Sequence, residues 1–532
     1  MGWRNFAKRL AVTFVPLVAA PTSFAASKNP DIPQDYSTAF RQFGEPHTSF
    51  KGRSPVRIGH IERIIVGPTK KDIPDRHGMA ATAILDWAAT RAIGKVPLTY
   101  HIGFDTLSPS ANLTRAMENF DVLSQSSFPI LLPKWRYNAF AAIGDMNKTR
   151  ALISMAAPNN DFCQNGQRMP PPRNVTLASA TTLSPYLIRV GVLGNKGNVA
   201  SYSDSNFPDL VFSNPFFESF SYRMYYKPKE YEKLYSHMLS WHAIMPTPQQ
   251  YVRLLHADRI NPGKPQTGWL GTSFAAPYLA GDTAYGPNRY PNLGPTDFWA
   301  AALTATRPVD QVACPDHTFL AIHYVQNPRG LPYNFADAGY GAFDPALYRE
   351  NLARLDVLRR RELTTKPVLQ IVKGTFNAWS RHHIISFKVP DDFLVTRVLV
   401  VVKFDSLKMS DAEVQDHQFN APYILRDPQN HRAINLASAM YAPDDGTYPT
   451  QRVFTTSFFL GDKATRGTWI FGPDFKLDSR LHVTKATLVL YGAERGGRIE
   501  KYFDGFHAKP PNETVTASLP KRIAAESVPP AP

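Results

Sequence analysis

The sequence predicts an α/β fold, a parallel sheet with helices on both faces, followed by an all-β region. Three observations carry that expectation. From residue 56 to about residue 355, short apolar runs alternate with helical patterns, the rhythm of a covered parallel sheet. After Arg359, Arg360 and Arg361 the helical patterns stop and strand-like segments such as residues 398–402 and 486–491 take over. The chain has 532 residues, more than one hydrophobic core usually serves. Hydrophobic residues make up 43% and charged residues 19%, which supports a packed core and excludes a wholly disordered chain.

Element by element, residues 56–58, 98–102, 121–123 and 151–155 read as strands, and residues 77–90 and 137–149 as helices between them. The expected organisation is a leader over 1–25, an extended polar arm over 26–54, the α/β domain over 55–360, a β-domain over 366–505 without comparable helices, and a disordered tail over 508–532.

The leader rests on Arg4, Lys8 and Arg9 before an apolar run over residues 10–20, with Ser23 and Ala25 supplying the small side chains of a cleavage site. The run is shorter than the ~20 apolar residues that span a bilayer, and no later segment is long and apolar enough. Export to the periplasm or beyond the cell follows, with no transmembrane segment. Cleavage after Ala25 removes three basic residues and no acidic ones, so a formal charge of +15 becomes +12. That balance favours anionic envelope surfaces or acidic partners. Nucleic acid is not expected, because the Lys and Arg residues are scattered and no binding motif accompanies them. Cys163 and Cys314 are the only two cysteines, and sequence leaves open whether they form a bridge.

The chemistry begins at Gly271-Thr272-Ser273-Phe274-Ala275-Ala276-Pro277. A serine hydroxyl needs a base and an exposed position to act as a nucleophile. Ser273 falls at an expected loop-to-helix step, and Ala275 and Ala276 let that helix pack closely. An isolated serine there would be only an N-cap. The seven-residue string is more specific and resembles the nucleophile motif of the subtilisin-like serine peptidases.

The resemblance extends along residues 56–350 in the family's order. His77-Gly78-Met79-Ala80 resembles the family's His-Gly motif, with Met79 and Ala80 where threonine and histidine are common; it implies His77 as the general base. Residues 151–160, ending Ala156-Ala157-Pro158-Asn159-Asn160, resemble the oxyanion strand and loop. Pro158 stands where the family has glycine, and the register favours Asn159 over Asn160 as the amide donor. Val122-Leu123-Ser124-Gln125-Ser126-Ser127 resembles the strand lining the primary specificity pocket, which makes Ser126 a substrate contact. Residues 187–203 and the turn Gly339-Tyr340-Gly341 match further family segments without carrying chemistry.

The triad acid departs from the family, whose aspartate before a glycine is missing. Val56-Arg57-Ile58-Gly59-His60-Ile61-Glu62 is the best first strand and places Glu62 at its end. Asp72 and Asp75 are the alternatives, Asp75 also being a candidate helix cap. Residues 214–268 form a Tyr- and Lys-rich insertion, readable as a lid or as ordinary surface. Segments 398–405, Gly467-Thr468-Trp469-Ile470 and 486–492 resemble the P domain of kexin-type subtilases, a jelly-roll sandwich; its aspartate-rich turns are reduced here. The resemblance implies an exported serine endopeptidase acting on polypeptides as a monomer with no required cofactor and only doubtful calcium. The altered His motif and missing aspartate leave open a weakened scaffold that binds proteins or envelope polymers. Residues 26–54 are too few for an independent inhibitory pro-domain.

Overall fold

A computed structural model describes residues 56–61, 65–66, 73–74, 76–94, 98–102, 117–126, 149–157, 163–164, 167–168, 184–193, 199–200, 203, 208–213, 238–241, 271–307, 309, 338–376, 384–406, 423–434, 437–441, 451–473 and 481–507. All of them belong to one compact unit, His47–Pro532.

The first half is built on a nine-stranded sheet. Its strands in chain order are β1 (Arg57–Ile61), β2 (Leu98–Ile102), β3 (Val122–Gln125), β4 (Leu152–Ala156), β5 (Leu187–Leu193), β6 (Leu210–Ser213), β7 (Met238–Trp241), β8 (Thr306–Arg307) and β9 (Ala342–Phe343). Their spatial order is β7-β2-β1-β3-β4-β5-β6-β9-β8. Every pairing is parallel except that of β8 with β9. Strands β3, β4 and β5 are buried along nearly their whole length because both faces are covered, and the polar residues among them, Ser124, Gln125, Ser154 and Arg189, are buried with them.

Helix α1 (Arg76–Ile93) follows β1. Ala81, Ile84, Leu85, Ala88, Ala89 and Ala92 recur at helical spacing and are buried. The helix closes on Gly94, at φ 77°, whose N–H donates to the Thr90 carbonyl at 2.9 Å. Helix α2 (Thr272–Thr283) is buried along its whole length, and helices α3 (Tyr285–Arg289), α4 (Pro295–Leu303) and α5 (Pro345–Arg360) complete the cover. Asp344 caps α5 by accepting from the N–H groups of Ala346 and Leu347, at 2.8 and 3.3 Å. The expected helix over 137–149 lies outside the described residues except for Thr149, which is not helical.

The second half packs two five-stranded antiparallel sheets. Its strands are β10 (Pro367–Lys373), β11 (Thr375–Phe376), β12 (Ile385–Val389), β13 (Leu394–Ser406), β14 (Tyr423–Arg426), β15 (Arg432–Ile434), β16 (Ala437–Tyr441), β17 (Gln451–Thr456), β18 (Gly467–Pro473) and β19 (Leu481–Ala493). One sheet runs β10-β19-β13-β17-β16 and the other β11-β12-β18-β14-β15. Phe387, Trp469 and Phe471 from one sheet share a core with Val398, Val400, Leu488 and Leu490 from the other. Gly467, Thr468 and Trp469 open strand β18 and do not form a turn; Trp469 is fully buried and its indole donates to the Thr465 carbonyl at 2.9 Å.

One expectation for this half fails. A helix, α6 (Arg498–His507), follows the last strand. Ile499, Tyr502 and Phe503, spaced i, i+3, i+4, enter the core of the α/β half together with Trp299 and Leu352. Arg498 donates two hydrogen bonds to the buried Asp297 of α4, at 2.9 and 2.6 Å, and the Tyr502 hydroxyl lies 2.6 Å from Thr304 Oγ1. The C-terminal segment thus returns to the first half.

A second joint lies between β5, β6 and the sandwich. Arg189 pairs with Asp209 through Nε and Nη2, at 3.0 and 2.5 Å, and both side chains are buried. Ser457 of the β half donates to Asp209 Oδ1 at 2.8 Å, and Arg189 donates to the Thr455 carbonyl at 3.3 Å. Arg397 of β13 reaches back to the Leu187 carbonyl at 2.7 Å, which also accepts from the Trp299 indole at 3.0 Å. A register shift between Val395 and Arg397 turns this arginine out of the sandwich core. Burial works to raise the Asp209 pKa, but Arg189 and Arg397 outweigh it and hold the carboxyl below the usual carboxylate range. Burial, opposed by Asp209 and reinforced by Arg189, lowers Arg397 to about 10.

Two outcomes follow from these joints. Asp209→Asn leaves two buried guanidinium groups without their carboxylate and should lower stability by about 3–5 kcal/mol in urea unfolding at neutral pH. Because the folded pKa of Asp209 is depressed, its contribution is full above the unfolded value of about 3.9 and is lost as pH falls through the folded value. The variant should therefore lose less further stability than the wild type across that acidic window. A chain ending near Leu363 uncovers Asp297 and Asp209 and should show a lower melting temperature or soluble yield; melting unchanged from the full chain would contradict the joints described.

Candidate active site

The site region follows from how α2 is held. Thr272 donates its hydroxyl to the Ala157 carbonyl, just past the end of β4, and Ser154 of β4 donates to the Ala276 carbonyl at 2.8 Å. The helix N-terminus is thereby fixed at the carboxyl edge of the parallel sheet, where open α/β folds place their ligands. Ser273 is the second residue of α2 and is 9% exposed. Among the described residues its Oγ makes no hydrogen bond, so it does not serve as an N-cap; the N-cap position belongs to Gly271. Gly271 is extended, at φ 165° and ψ 149°, a conformation open to any residue, so backbone freedom does not account for the glycine. Pro277 has no N–H to offer the Ser273 carbonyl, which loosens the first turn around the serine.

Helix α1 lies against α2 at unusually close range. A Cβ on Gly281 would stand 2.5 Å from Ala88 Cβ, 2.7 Å from the Ala89 nitrogen and 2.9 Å from the Leu85 carbonyl oxygen. Small residues on both helices allow that approach. Arg91 closes the far end of the pair, with its guanidinium 4.6 Å from the Trp87 ring and 5.1 Å from the Tyr278 ring and a 3.3 Å ion pair to Asp282. His77 lies in the first turn of α1, following β1 in the chain, and its side chain is outside the described part of the molecule.

Ser126 directly follows β3 and is buried. Its Oγ lies 3.0 Å from Nε2 of His60, whose Nδ1 lies 3.1 Å from Thr82 Oγ1 of α1. His60 is fully buried on β1. This imidazole, not anticipated as a structural link, ties β1, the helix bearing His77 and the segment bearing Ser126. The signal available in sequence was a polar ring inside the apolar strand Ile58 to Ile61. The structure thus brings Ser273, the Ala157 end of β4 and Ser126 to one edge of the sheet. Glu62, Asp72, Asp75, Asn159, Asn160 and Cys314 lie outside the described residues, as do the side chain of Cys163 and, apart from β7, the insertion over 214–268.

The turn Gly339-Tyr340-Gly341 supports the neighbouring strands. Gly339 has φ 57°, and a Cβ there would meet the Asp209 carbonyl oxygen at 2.1 Å. Tyr340 donates its N–H to that carbonyl at 2.9 Å and its hydroxyl to the Ser457 carbonyl at 2.7 Å.

No protein-family model matches this chain, and no curated protein does. Among solved structures it is similar to a serine protease of Aeromonas sobria, with 14% identity over 82% of this chain and 88% of that one and a TM-score of 0.48. The same protease in complex with its chaperone gives 13% identity, 82% and 88% coverage and a TM-score of 0.49. MycP1 without its N-terminal propeptide gives 16% identity over 59% of this chain and 96% of that chain, with a TM-score of 0.30.

Gly281→Ala should force α1 and α2 apart, because two of the three close contacts are with backbone. The expected cost is about 1–3 kcal/mol in thermal or urea unfolding, the range for overpacking a tight core. Substitution without loss of stability would show that the two helices have slack.

Proposed function

We propose that the protein is an exported serine endopeptidase that hydrolyses peptide bonds through an acyl-enzyme on Ser273. The observation that supports this reading most is the position of Ser273 at the N-terminal turn of α2, on the carboxyl edge of the sheet, within the Gly-Thr-Ser-Phe-Ala-Ala-Pro string. In the proposed mechanism Ser273 Oγ attacks the scissile carbonyl while His77 accepts its proton, and the carbonyl oxygen takes up negative charge. The Asn159 amide donates to that oxyanion. His77 then protonates the leaving amine, and water, deprotonated by the same imidazole, releases the acyl group and restores Ser273. Glu62 orients His77 and stabilises its imidazolium form. The segment that continues from β3 through Ser126 holds substrate backbone in an extended conformation, and the Ser126 hydroxyl, buried against His60, positions it.

No helix among the described residues is long and apolar enough to cross a membrane, which says nothing of strands. Export rests on the leader residues Arg4 to Ala25.

A fluorophosphonate probe should label the wild-type chain and not Ser273→Ala, and that variant should lose hydrolysis of an unstructured protein while keeping its circular dichroism. Turnover that survives Ser273→Ala sinks the assignment. Glu62→Gln should lower the rate steeply and Asp72→Asn and Asp75→Asn much less; the reverse order would move the acid to the aspartates.

The second reading is a weakened scaffold that binds proteins or envelope polymers. Met79 and Ala80 after the His-Gly pair and the missing aspartate favour it. It is the reading to adopt if the folded wild-type chain neither labels nor turns over substrate.

A further inference from the structure

Two carboxylates and an imidazole converge in the β half. Asp427 directly follows β14, His431 directly precedes β15, and Asp462 lies in the turn after β17. His431 Nδ1 is 2.7 Å from Asp427 Oδ2 and 3.9 Å from Asp462 Oδ2. One donor atom from each residue lies within 4.8 Å of the other two. Asp427 and Asp462 are only 4% and 7% exposed, while the His431 side chain is 15% exposed and gives the cluster a face toward solvent.

The three positions are held by backbone. The Asp427 N–H donates to the His431 carbonyl at 3.1 Å and the Asn430 N–H to the Asp427 carbonyl at 3.0 Å, with Asn430 at φ 67°. The His431 N–H donates to Asp427 Oδ1 at 2.7 Å. On the other side, the Asp462 carbonyl accepts from Val395 at 2.8 Å and its N–H donates to Phe459 at 3.0 Å. The donors therefore come from two turns, each fixed before any ligand arrives.

We propose that Asp427, His431 and Asp462 bind a divalent transition-metal ion of the zinc class. Two buried carboxylates face one ring nitrogen. A divalent cation offsets both charges at once. One nitrogen and two carboxylate oxygens suit Zn2+, Co2+ or Mn2+, whereas Ca2+ takes six to eight oxygens and has no use for imidazole. A tetrahedral zinc site with ligands at roughly 2.0–2.1 Å puts its donor atoms about 3.3 Å apart. The observed 2.7 and 3.9 Å bracket that spacing, so small side-chain movements complete the site. A metal-bound His431 offers the Nδ1 lone pair and carries its ring proton on Nε2. Water fills the remaining coordination. The ion would clasp the β14–β15 turn to the turn of residues 457–462, which places Phe459 against Trp469, with ring centroids 4.9 Å apart.

The test uses the untagged full chain, stripped of metal by a chelator and followed by calorimetry and thermal melting. Zn2+ should bind one per chain and, near a hundredfold excess over Kd, raise the melting temperature by about 2–5 °C. His431→Gln and Asp462→Asn should each weaken binding at least tenfold and abolish the shift, and Ca2+ should not substitute for Zn2+. Absence of a shift up to about 1 mM Zn2+, an equal shift in both variants, or an equal shift with Ca2+ would each overturn the proposal. Should a variant fail to fold, the visible spectrum of the wild-type chain with Co2+ decides: bands of four- or five-coordinate cobalt support the site, and their absence rejects it. The outcome does not depend on whether Ser273 is a nucleophile.

Discussion

The buried ion pair of Arg189 and Asp209 holds neighbouring strands of the α/β sheet together and is completed only by groups from the other half of the chain. Arg189 projects from β5, and Asp209 precedes β6 and accepts from both the backbone and the guanidinium of Arg189. Charges buried to this degree persist only when their remaining donors and acceptors are met. Ser457 and the Thr455 carbonyl, both in the sandwich half, do that, and Tyr340 fastens the adjacent turn to Ser457. The two halves are accordingly joined through polar groups that neither satisfies alone. Helix α6 joins them a second time through Arg498, Asp297 and an apolar face.

This joint has a bearing on the carboxyl edge of the first sheet. Strand β5 is the neighbour of β4, and the end of β4 fixes α2 through Thr272 and Ser154. Helix α2 in turn meets α1 at Gly281, so the position of Ser273 relative to the start of α1 depends on a packing distance set by small residues. In the proposed mechanism, that packing distance sets how far the nucleophile stands from its base. The His60 imidazole adds a polar tie on the other side, from β1 to Ser126 and to Thr82.

The sandwich half has its own economy of contacts. Its core mixes aromatic and aliphatic side chains, with Phe387, Phe454, Phe459, Trp469 and Phe471 set among valines and leucines between the sheets. The Asp427, His431 and Asp462 cluster sits at the turns that bound this core. A cation there would stiffen the same turn that carries Ser457 into the joint.

Sequence by itself determined the local elements and the order of the two halves. Residues 98–102 form a strand with the expected bounds, β4 and α1 lie within a few residues of theirs, and the change after Arg361 marks the passage from parallel to antiparallel sheet, because hydrophobic period is a local property. The Gly-Thr-Ser-Phe-Ala-Ala-Pro string likewise marks the start of the helix that carries Ser273. Sequence did not show α6 as part of the first half, although Ile499, Tyr502 and Phe503 already had helical spacing, since spacing names a face and not the surface it meets. Nor did it show that Arg397, His60 and Asp462 would be buried. Each is a polar residue in a locally ordinary segment, and its burial depends on partners between about 20 and more than 200 residues away, such as Thr82 and Leu187. Only the tertiary structure brings those partners within hydrogen-bonding distance, and only there does the cost of burying charge decide which of them must meet.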